Sequence, residues 1–187
     1  MKSEFRFNPK DVLQEFDEFL VQHKLKFKAT LIGSGALHLL GIEKVATVDL
    51  DILEPGIPPR LKELSEIFRK RKIEDGWNLR PNWFSDGAAV FLKHYPRGWK
   101  NRTQIVFKGK ALSLRAFGRE ELIKEKLWGF CEDRRRDLLT LVRLKPTERE
   151  LKQAAKWVEG QAKTIPFWSE IVDRKLKEAL RRLSDEA

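Results

Sequence analysis

Two aspartates separated by a single residue are the side chains of this sequence best suited to chemistry. Asp49 and Asp51 lie in the β-branched stretch from Lys44 to Leu53, which predicts a strand. Because side chains alternate along a strand, both carboxylates are expected on one face. Carboxylates that close destabilise each other unless a cation lies between them, and Mg²⁺ binds one or two carboxylates together with substrate phosphates. The pair therefore predicts a site for Mg²⁺ or Mn²⁺.

A glycine–serine turn precedes the aspartates along the chain. The apolar run from Phe27 to Ile32 predicts a buried strand, which breaks into a tight turn at Gly33 and Ser34. A glycine at the end of a strand lets backbone N–H groups approach a phosphate closely. Turns and D-x-D pairs are each common in structural roles, but their combination in this order, with apolar flanks, predicts a shared phosphate and metal site.

The pattern hG-S-x-A followed by T-x-D-x-D resembles the nucleotidyltransferase superfamily that includes DNA polymerase beta. Within it, the chain is similar to small bacterial nucleotidyltransferase-like proteins akin to type IV abortive-infection toxins. The resemblance implies that Gly33 and Ser34 bind the triphosphate, that Asp49 and Asp51 bind the metal, and that Thr47 belongs to the motif. It also implies Mg²⁺-dependent transfer of a nucleotidyl group from an NTP to an acceptor hydroxyl. A toxin or phage-defence role, with a cognate antitoxin as partner, follows from the resemblance alone.

A downstream helix extends the resemblance, because a family pattern of lysine, arginine and aspartate corresponds to Lys126, Arg134 and Asp137. The resemblance implies that these residues contact the nucleotide, with Lys126 among the catalytic residues. At about 100° per residue, Lys126 falls on an apolar helix face and Lys124 falls outside it. If the helix continues, Arg134 and Asp137 return to that face. Three interpretations of Lys126 stay open: a phosphate contact, a partner of Asp137, or a lysine at the edge of the core.

Two positions depart from the family pattern. Gln104 occupies the expected place of a third carboxylate, and Thr140 stands where a further acid often follows Asp137. A neutral amide is a weak Mg²⁺ ligand and cannot act as a general base. Asp86, in a Ser-Asp-Gly turn, is expected to shape that turn rather than replace the missing acid. The alternative hypothesis is therefore a catalytically degenerate fold that binds nucleotide or nucleic acid.

Composition narrows the classes of partner. The chain has 187 residues and a formal net charge of +10, which favours a polyanion. RNA or tRNA is therefore the preferred acceptor, and a protein hydroxyl stays open. A hydrophobic content of 41% excludes a disordered chain. The absence of a long apolar run predicts no membrane partner, and the single cysteine, Cys131, predicts a reducing cytoplasm.

A loop from His94 to Arg102 interleaves aromatic and basic residues. Such a loop can stack a base and neutralise phosphates, but it is equally compatible with a connection whose rings are partly buried. Both interpretations stay open. Cys131, with no predicted catalytic partner, is expected to be a packing residue.

The predicted elements give the fold class α/β (α+β), with a nucleotidyltransferase-like mixed sheet flanked by helices and a helical C-terminal third. Strands are expected over 88–93, 103–107 and 111–114, and a capping box at Thr147 and Glu150 begins one of the later helices. We expect a core over residues 1–117 and a helical region over 118–187, packed on that core.

Overall fold

The computed structural model describes residues 7–44, 47–162 and 164–185. Contacts divide the chain into two compact units, Met1–Phe117 and Gly118–Ala187. The first unit is built on a mixed sheet with helices, and the second is helical. The predicted fold class, a mixed α/β sheet with a helical C-terminal third, is confirmed.

Five strands form the sheet of the first unit, in the spatial order β3-β2-β1-β5-β4. Their bounds are β1 Phe27–Ile32, β2 Leu50–Glu54, β3 Phe84–Ser85, β4 Gln104–Lys108 and β5 Leu112–Ala116. The central strand β1 is antiparallel to β2 and parallel to β5. The strands predicted near 27–32, 103–107 and 111–114 are therefore confirmed.

Three α-helices accompany this sheet: α1 Pro9–Gln22, α2 Gly33–Leu39 and α3 Pro59–Glu74. The segments Gly87–His94 and Trp99–Arg102 are 3-10 helices. The strand predicted over 88–93 is therefore wrong. A short apolar run cannot be assigned by its periodicity alone, and the sheet edge beside β2 is taken by β3 instead.

The inner face of the sheet carries the core of the first unit. Alternate residues of β1 and β5, among them Leu31 and Leu114, pack in one cluster with α1 and α3. Phe16 of α1 lies at the centre of its aromatic part, with ring centroids 5.0 Å from Phe68 and 5.2 Å from Trp83. This packing fixes β1 and β2, the two strands that lead into the motif residues.

The opposite, outer face of the sheet carries most polar residues of the strands. Residues paired across neighbouring strands share a face, and side chains two apart along one strand share it too. The pairing therefore defines the outer face as Lys28, Thr30 and Ile32 of β1, Ser113 and Arg115 of β5, Ile105 and Lys108 of β4, Asp51 of β2 and Ser85 of β3.

The predicted strand over 44–53 begins later than expected. Thr47 forms an isolated bridge with Phe7, whereas the backbone N–H of Leu50 donates to Trp83 O at 2.6 Å. The chain thus changes its partner between these residues, so that Asp49 precedes β2 and Asp51 lies within it. Residues 45 and 46 of the predicted strand lie outside the described residues.

The second unit consists of α4 Arg119–Cys131, α5 Arg135–Leu144, α6 Glu148–Glu159 and α7 Trp168–Asp185. The capping box is confirmed, since Thr147 accepts from Glu150 N and Glu150 accepts from Thr147 N. Cys131 is buried, and burial raises the pKa of its thiol to about 12. Over the described ranges, no helix combines the length and the apolar character that a bilayer span requires.

Candidate functional site

The carboxylate of Asp51 lies directly against the backbone of Gly33. Gly33 has a φ of 75°, in the left-handed region, and is the first residue of α2. A Cβ built on Gly33 would lie only 2.8 Å from Asp51 Oδ2. Both the backbone conformation and the close approach thus require glycine here. The predicted tight turn at Gly33 and Ser34 is wrong, because β1 passes directly into α2 there. This junction lies against β2, the strand that carries Asp51.

A chain of hydrogen bonds ties Ser34 to the segment that carries Asp49. Ser34 Oγ and Thr47 Oγ1 are 2.8 Å apart, and Thr47 Oγ1 donates to Asp49 O at 2.9 Å. Because Thr47 has one hydroxyl hydrogen, Ser34 is the donor in the first bond. The structure therefore brings the Gly33–Ser34 junction next to the carboxylate of Asp51 and, through Thr47, next to the backbone of Asp49.

Arg80 adds a cation to this site that sequence analysis missed. Its guanidinium forms an ion pair with the carboxylate of Asp49. The Asp49 side chain is 16% exposed, whereas that of Arg80 is 41% exposed. The buried Nε of Arg80 has no hydrogen-bond partner within the described part of the chain. No sequence motif indicates this arginine, because it lies 31 residues from Asp49 along the chain and meets it only in the folded structure.

Ser85 lies on β3, the strand next to β2, and Asp86 directly follows it. The two side chains make different contacts. Ser85 is the register partner of Asp51, which places its side chain beside that carboxylate on the outer face. Asp86 instead accepts from the backbone N–H of Ile57 at 2.8 Å and pairs with Lys62 Nζ at 2.9 Å. Burial raises the pKa of Asp86, but these partners outweigh it and leave the pKa lowered. Asp86 thus connects its turn to Ile57 and to Lys62 of α3, and its role in shaping that turn stays a prediction.

Gln104 is not brought to the aspartates. It begins β4, and β4 is separated from β2 by β1 and β5. At about 4.8 Å per strand, the separation is roughly 14 Å. Its register partner is Ala116, which belongs to the inner face rather than the outer one. No third acidic ligand takes its place, since the described residues contain no group of three or more histidines, cysteines or acids suited to a metal ion.

Lys126, in the second unit, is buried among acids. Its Nζ lies 3.1 Å from Glu125 Oε1 and 3.3 Å from Asp137 Oδ1. Burial lowers the pKa of Lys126, but the charges of Glu125 and Asp137 outweigh it and leave the pKa raised. Of the three interpretations of this lysine, the contacts describe a partner of Asp137, while a phosphate contact stays a prediction.

The prediction that Arg134 returns to the face of Lys126 required one continuous helix. The structure has two helices instead, with Arg134 between them. Asp133 takes a left-handed φ of 61° and α5 begins at Arg135. The turn nevertheless returns the chain onto α4, because the Asp137 carboxylate lies where a side chain on Gly129 would stand. Arg134 Nε is 3.4 Å from Asp137 Oδ2. Lys126, Arg134 and Asp137 thus come together by a reversal of the chain rather than by helical phase.

Lys124 is buried even though it lies outside the apolar face of α4. It is 7% exposed and paired with Glu120, although its helical phase puts it off the apolar face. The reason is that α4 packs against α5, α6 and α7, so that burial is not confined to one stripe of the helix.

The aromatic residues of the loop 94–102 are packed inside the first unit. Tyr95 and Trp99 are buried, and their ring centroids lie 4.6 Å and 5.4 Å from that of Phe117. These rings have no free face at the surface for a base. Of the two interpretations of the loop, the connection with buried rings is correct.

Comparisons of the chain with family models, with curated proteins and with solved structures give no match.

Proposed function

We propose that the first unit is a metal-dependent nucleotidyltransferase whose site is built from Gly33, Ser34, Asp49 and Asp51. The observation that carries the proposal is the meeting of the Gly33–Ser34 junction with both aspartates. The contact between the Asp51 carboxylate and Gly33, and the bonds from Ser34 through Thr47 to Asp49, support it. Residues with phosphate-binding and metal-binding chemistry thus share one small region.

The residues fit a hard divalent cation. Carboxylate oxygens from Asp49 and Asp51 are the donors that Mg²⁺ and Mn²⁺ prefer, and the Ser85 hydroxyl lies beside them. Arg80 pairs with Asp49, so a bound cation would share this carboxylate with the guanidinium or displace it. A bound Mg²⁺ would neutralise triphosphate charge and polarise the phosphorus that is attacked.

The protein's part in the reaction is binding and orientation. Backbone N–H groups at Gly33 and Ser34 would hold triphosphate oxygens, because glycine lets the ligand approach the main chain. An acceptor hydroxyl would attack the α-phosphorus, forming an oxygen–phosphorus bond as the bond to the bridging oxygen breaks. Pyrophosphate would leave and the hydroxyl proton would pass to water. Such a reaction draws on the NTP pool of the cytoplasm, and the basic charge of the chain favours RNA over a protein hydroxyl as acceptor.

A second candidate function, nucleotide or nucleic-acid binding without transfer, is favoured by two specific observations. Asp49 is already engaged by Arg80, and Gln104 lies three strands away from β2 without a carboxylate to offer. A two-carboxylate site holds a metal–nucleotide complex more readily than it activates a hydroxyl, because no third acid, histidine or cysteine joins the two aspartates within the described residues. The resemblance to nucleotidyltransferases is all that supports a nucleotide contact of Lys126, a toxin activity and a cognate antitoxin.

Incubation of the full chain with α-labelled NTPs, Mn²⁺ or Mg²⁺ and total RNA tests the proposal. We expect label on RNA with wild type and its loss in Asp49→Asn and Asp51→Asn. Glu66→Gln, which removes a carboxylate paired with Arg69 on α3, is the matched control and should keep the activity. Metal-dependent nucleotide binding without label transfer would support the second function, and equal labelling by all variants would contradict the first.

A further inference from the structure

The outer face of the sheet has a basic, acid-free area that neither the motif nor the aspartates use. Strands β1, β4 and β5 read FKATLI, QIVFK and LSLRA, and none contains an acidic residue. Lys28, Lys108 and Arg115 are exposed there. The acid nearest in register, Glu54 opposite Thr30, is neutralised by Lys100 at 2.7 Å.

The cations of this area form a regular array. Lys28 and Lys108 are both register partners of Ser113, so they flank it in one row across the sheet. Two strand spacings separate them, about 10 Å. Arg115 occupies the next row, and its guanidinium is held by Thr103 through bonds of 2.6 Å to the hydroxyl and to the carbonyl oxygen. Within the described residues, Lys28 and Lys108 form no ion pair, so their charge is available to a ligand.

The cations lie on the same face of the sheet as Asp51 of the candidate site. Asp51 is opposite Ile32, which lies on the same face of β1 as Lys28. Arg115 is two strands from β2, which puts its Cα roughly 12 Å from that of Asp51 at ordinary strand spacings. Thr30 and Ile32, the outer-face residues of β1 between Lys28 and Asp51, are each 6% exposed, so an RNA chain bound at the cations would pass over packed residues to reach Asp51.

We propose that the outer face at Lys28, Lys108 and Arg115 binds the 3′-terminal segment of a single-stranded RNA, the acceptor in the proposed function on which this assignment rests. A row of cations at fixed spacing suits a phosphate backbone, which repeats its charge, better than an acidic peptide of irregular charge. The exposed Ile105, 54% accessible beside Arg115, gives one base an apolar contact. The area is about three strands wide, which suits a single strand rather than a duplex.

The test measures binding of a fluorescent single-stranded RNA by anisotropy, in EDTA and without NTP. Each phosphate contact contributes about 0.7 to the slope of log K against log salt, or roughly fivefold in affinity at 0.1 M salt. Lys28→Gln with Lys108→Gln should therefore weaken binding about 25-fold and reduce the slope by about 1.4. Lys10→Gln with Lys70→Gln removes the same charge from exposed sites on α1 and α3 and should change binding far less.

Two further variants distinguish loss of the RNA site from misfolding and from a failure of the proposed function. The charge-conserving pair Lys28→Arg and Lys108→Arg should bind RNA as wild type does, which excludes misfolding as the cause of a loss. Asp49→Asn with Asp51→Asn should keep RNA binding, so that loss of label transfer there is a failure of the proposed function alone. Equal weakening by the sheet and control pairs would overturn the assignment, and so would equally tight binding of DNA of the same sequence.

Discussion

At the residue scale, we expect the ion pair between Arg80 and Asp49 to weaken metal binding at the proposed site. A guanidinium on Asp49 competes with a divalent cation for the same carboxylate. Arg80→Gln should therefore tighten Mn²⁺ binding, by about two- to fivefold if the part-exposed pair is worth roughly 0.5–1 kcal/mol. Titration followed by electron paramagnetic resonance measures this. Weaker Mn²⁺ binding in Arg80→Gln would mean that the arginine organises the aspartates rather than competing for them.

Gly33 is the residue whose replacement should damage the site most locally. In Gly33→Ala the methyl group would meet Asp51 Oδ2, and the φ of 75° would become strained. We expect a loss of about 1–2 kcal/mol in stability together with loss of Mn²⁺ binding, because Asp51 must move. Gly41→Ala is the control. It has a φ of 74° with open space around it, so it should lose similar stability and keep the metal. Chemical denaturation and the Mn²⁺ titration would show the two effects separately.

Among site residues, those whose chemistry depends on local spacing were predictable. Asp49 and Asp51 are two apart, and Gly33 and Ser34 follow an apolar strand, so the sequence brings each pair together. Arg80 and Ser85 reach the site only through the pairing of β3 with β2, which leaves no periodic trace in the sequence. The predicted place of Gln104 near the aspartates was wrong, because the sequence pattern of its strand does not show that two other strands lie between it and β2.

At the scale of elements, one buried aspartate holds the connection between β4 and β5. Asp17 of α1 accepts from the backbone N–H groups of Lys110, Ala111 and Leu112, at 2.9, 2.9 and 2.6 Å. Asp17→Ala would leave these donors without their partner, and we expect a loss of about 2–4 kcal/mol in the free energy of unfolding. Asp17→Asn keeps one acceptor oxygen and should lose less.

The measurement for Asp17 is urea denaturation of the full chain, with hydrogen exchange at the three amides as the local probe. Glu18→Ala, at an exposed position one residue along α1, is the matched control. If Asp17→Ala unfolded at the same urea concentration as Glu18→Ala, the carboxylate would not be holding this turn.

The capping box of α6 predicts a pH dependence of the second unit. Hydrogen bonds from Arg119 and from Thr147 lower the pKa of Glu150 from 4.5 to about 2. A carboxylate with a lowered pKa contributes stability that is complete above its unfolded value and is lost as the pH falls through the folded value. The difference in melting temperature between wild type and Glu150→Gln should therefore be largest above pH 5 and shrink between about pH 4.5 and 2.

Thermal unfolding at a series of pH values checks this dependence, with Glu170→Gln, on the exposed first turn of α7, as control. A difference for Glu150→Gln that stayed constant from pH 6 to pH 2 would show that the ionised carboxylate is not what stabilises the start of α6.

Elements with strong local signals were predicted well and the others were not. The strand Phe27–Ile32 and the helix that starts after Thr147 have apolar periodicity or a cap in the sequence. The segment 87–94 is apolar enough for a strand, yet it forms a 3-10 helix because β3 occupies the edge beside β2. The break between α4 and α5 depends on a left-handed Asp133, which helical phase does not reveal.

At the scale of the whole molecule, the excess of 38 lysines and arginines over 28 acids predicts a polyanion partner but not its place. Much of the positive charge on helices is locally balanced, as between Lys177 and Asp173 or Lys152 and Glu148. The strands of the outer face contain no acid, and within the described residues Lys28 and Lys108 form no ion pair there. Charge therefore becomes informative only when the pairing of the strands is known.

A crystal of the full chain soaked with Mn²⁺ and a non-hydrolysable NTP tests the shared phosphate and metal site most directly. The anomalous signal of manganese locates the ion without ambiguity. We predict a peak at about 2.0–2.2 Å from oxygens of both Asp49 and Asp51, with the triphosphate against the backbone of Gly33 and Ser34. Manganese elsewhere, or a nucleotide bound while Asp49 stays paired with Arg80 and no metal joins it, would contradict the proposed site.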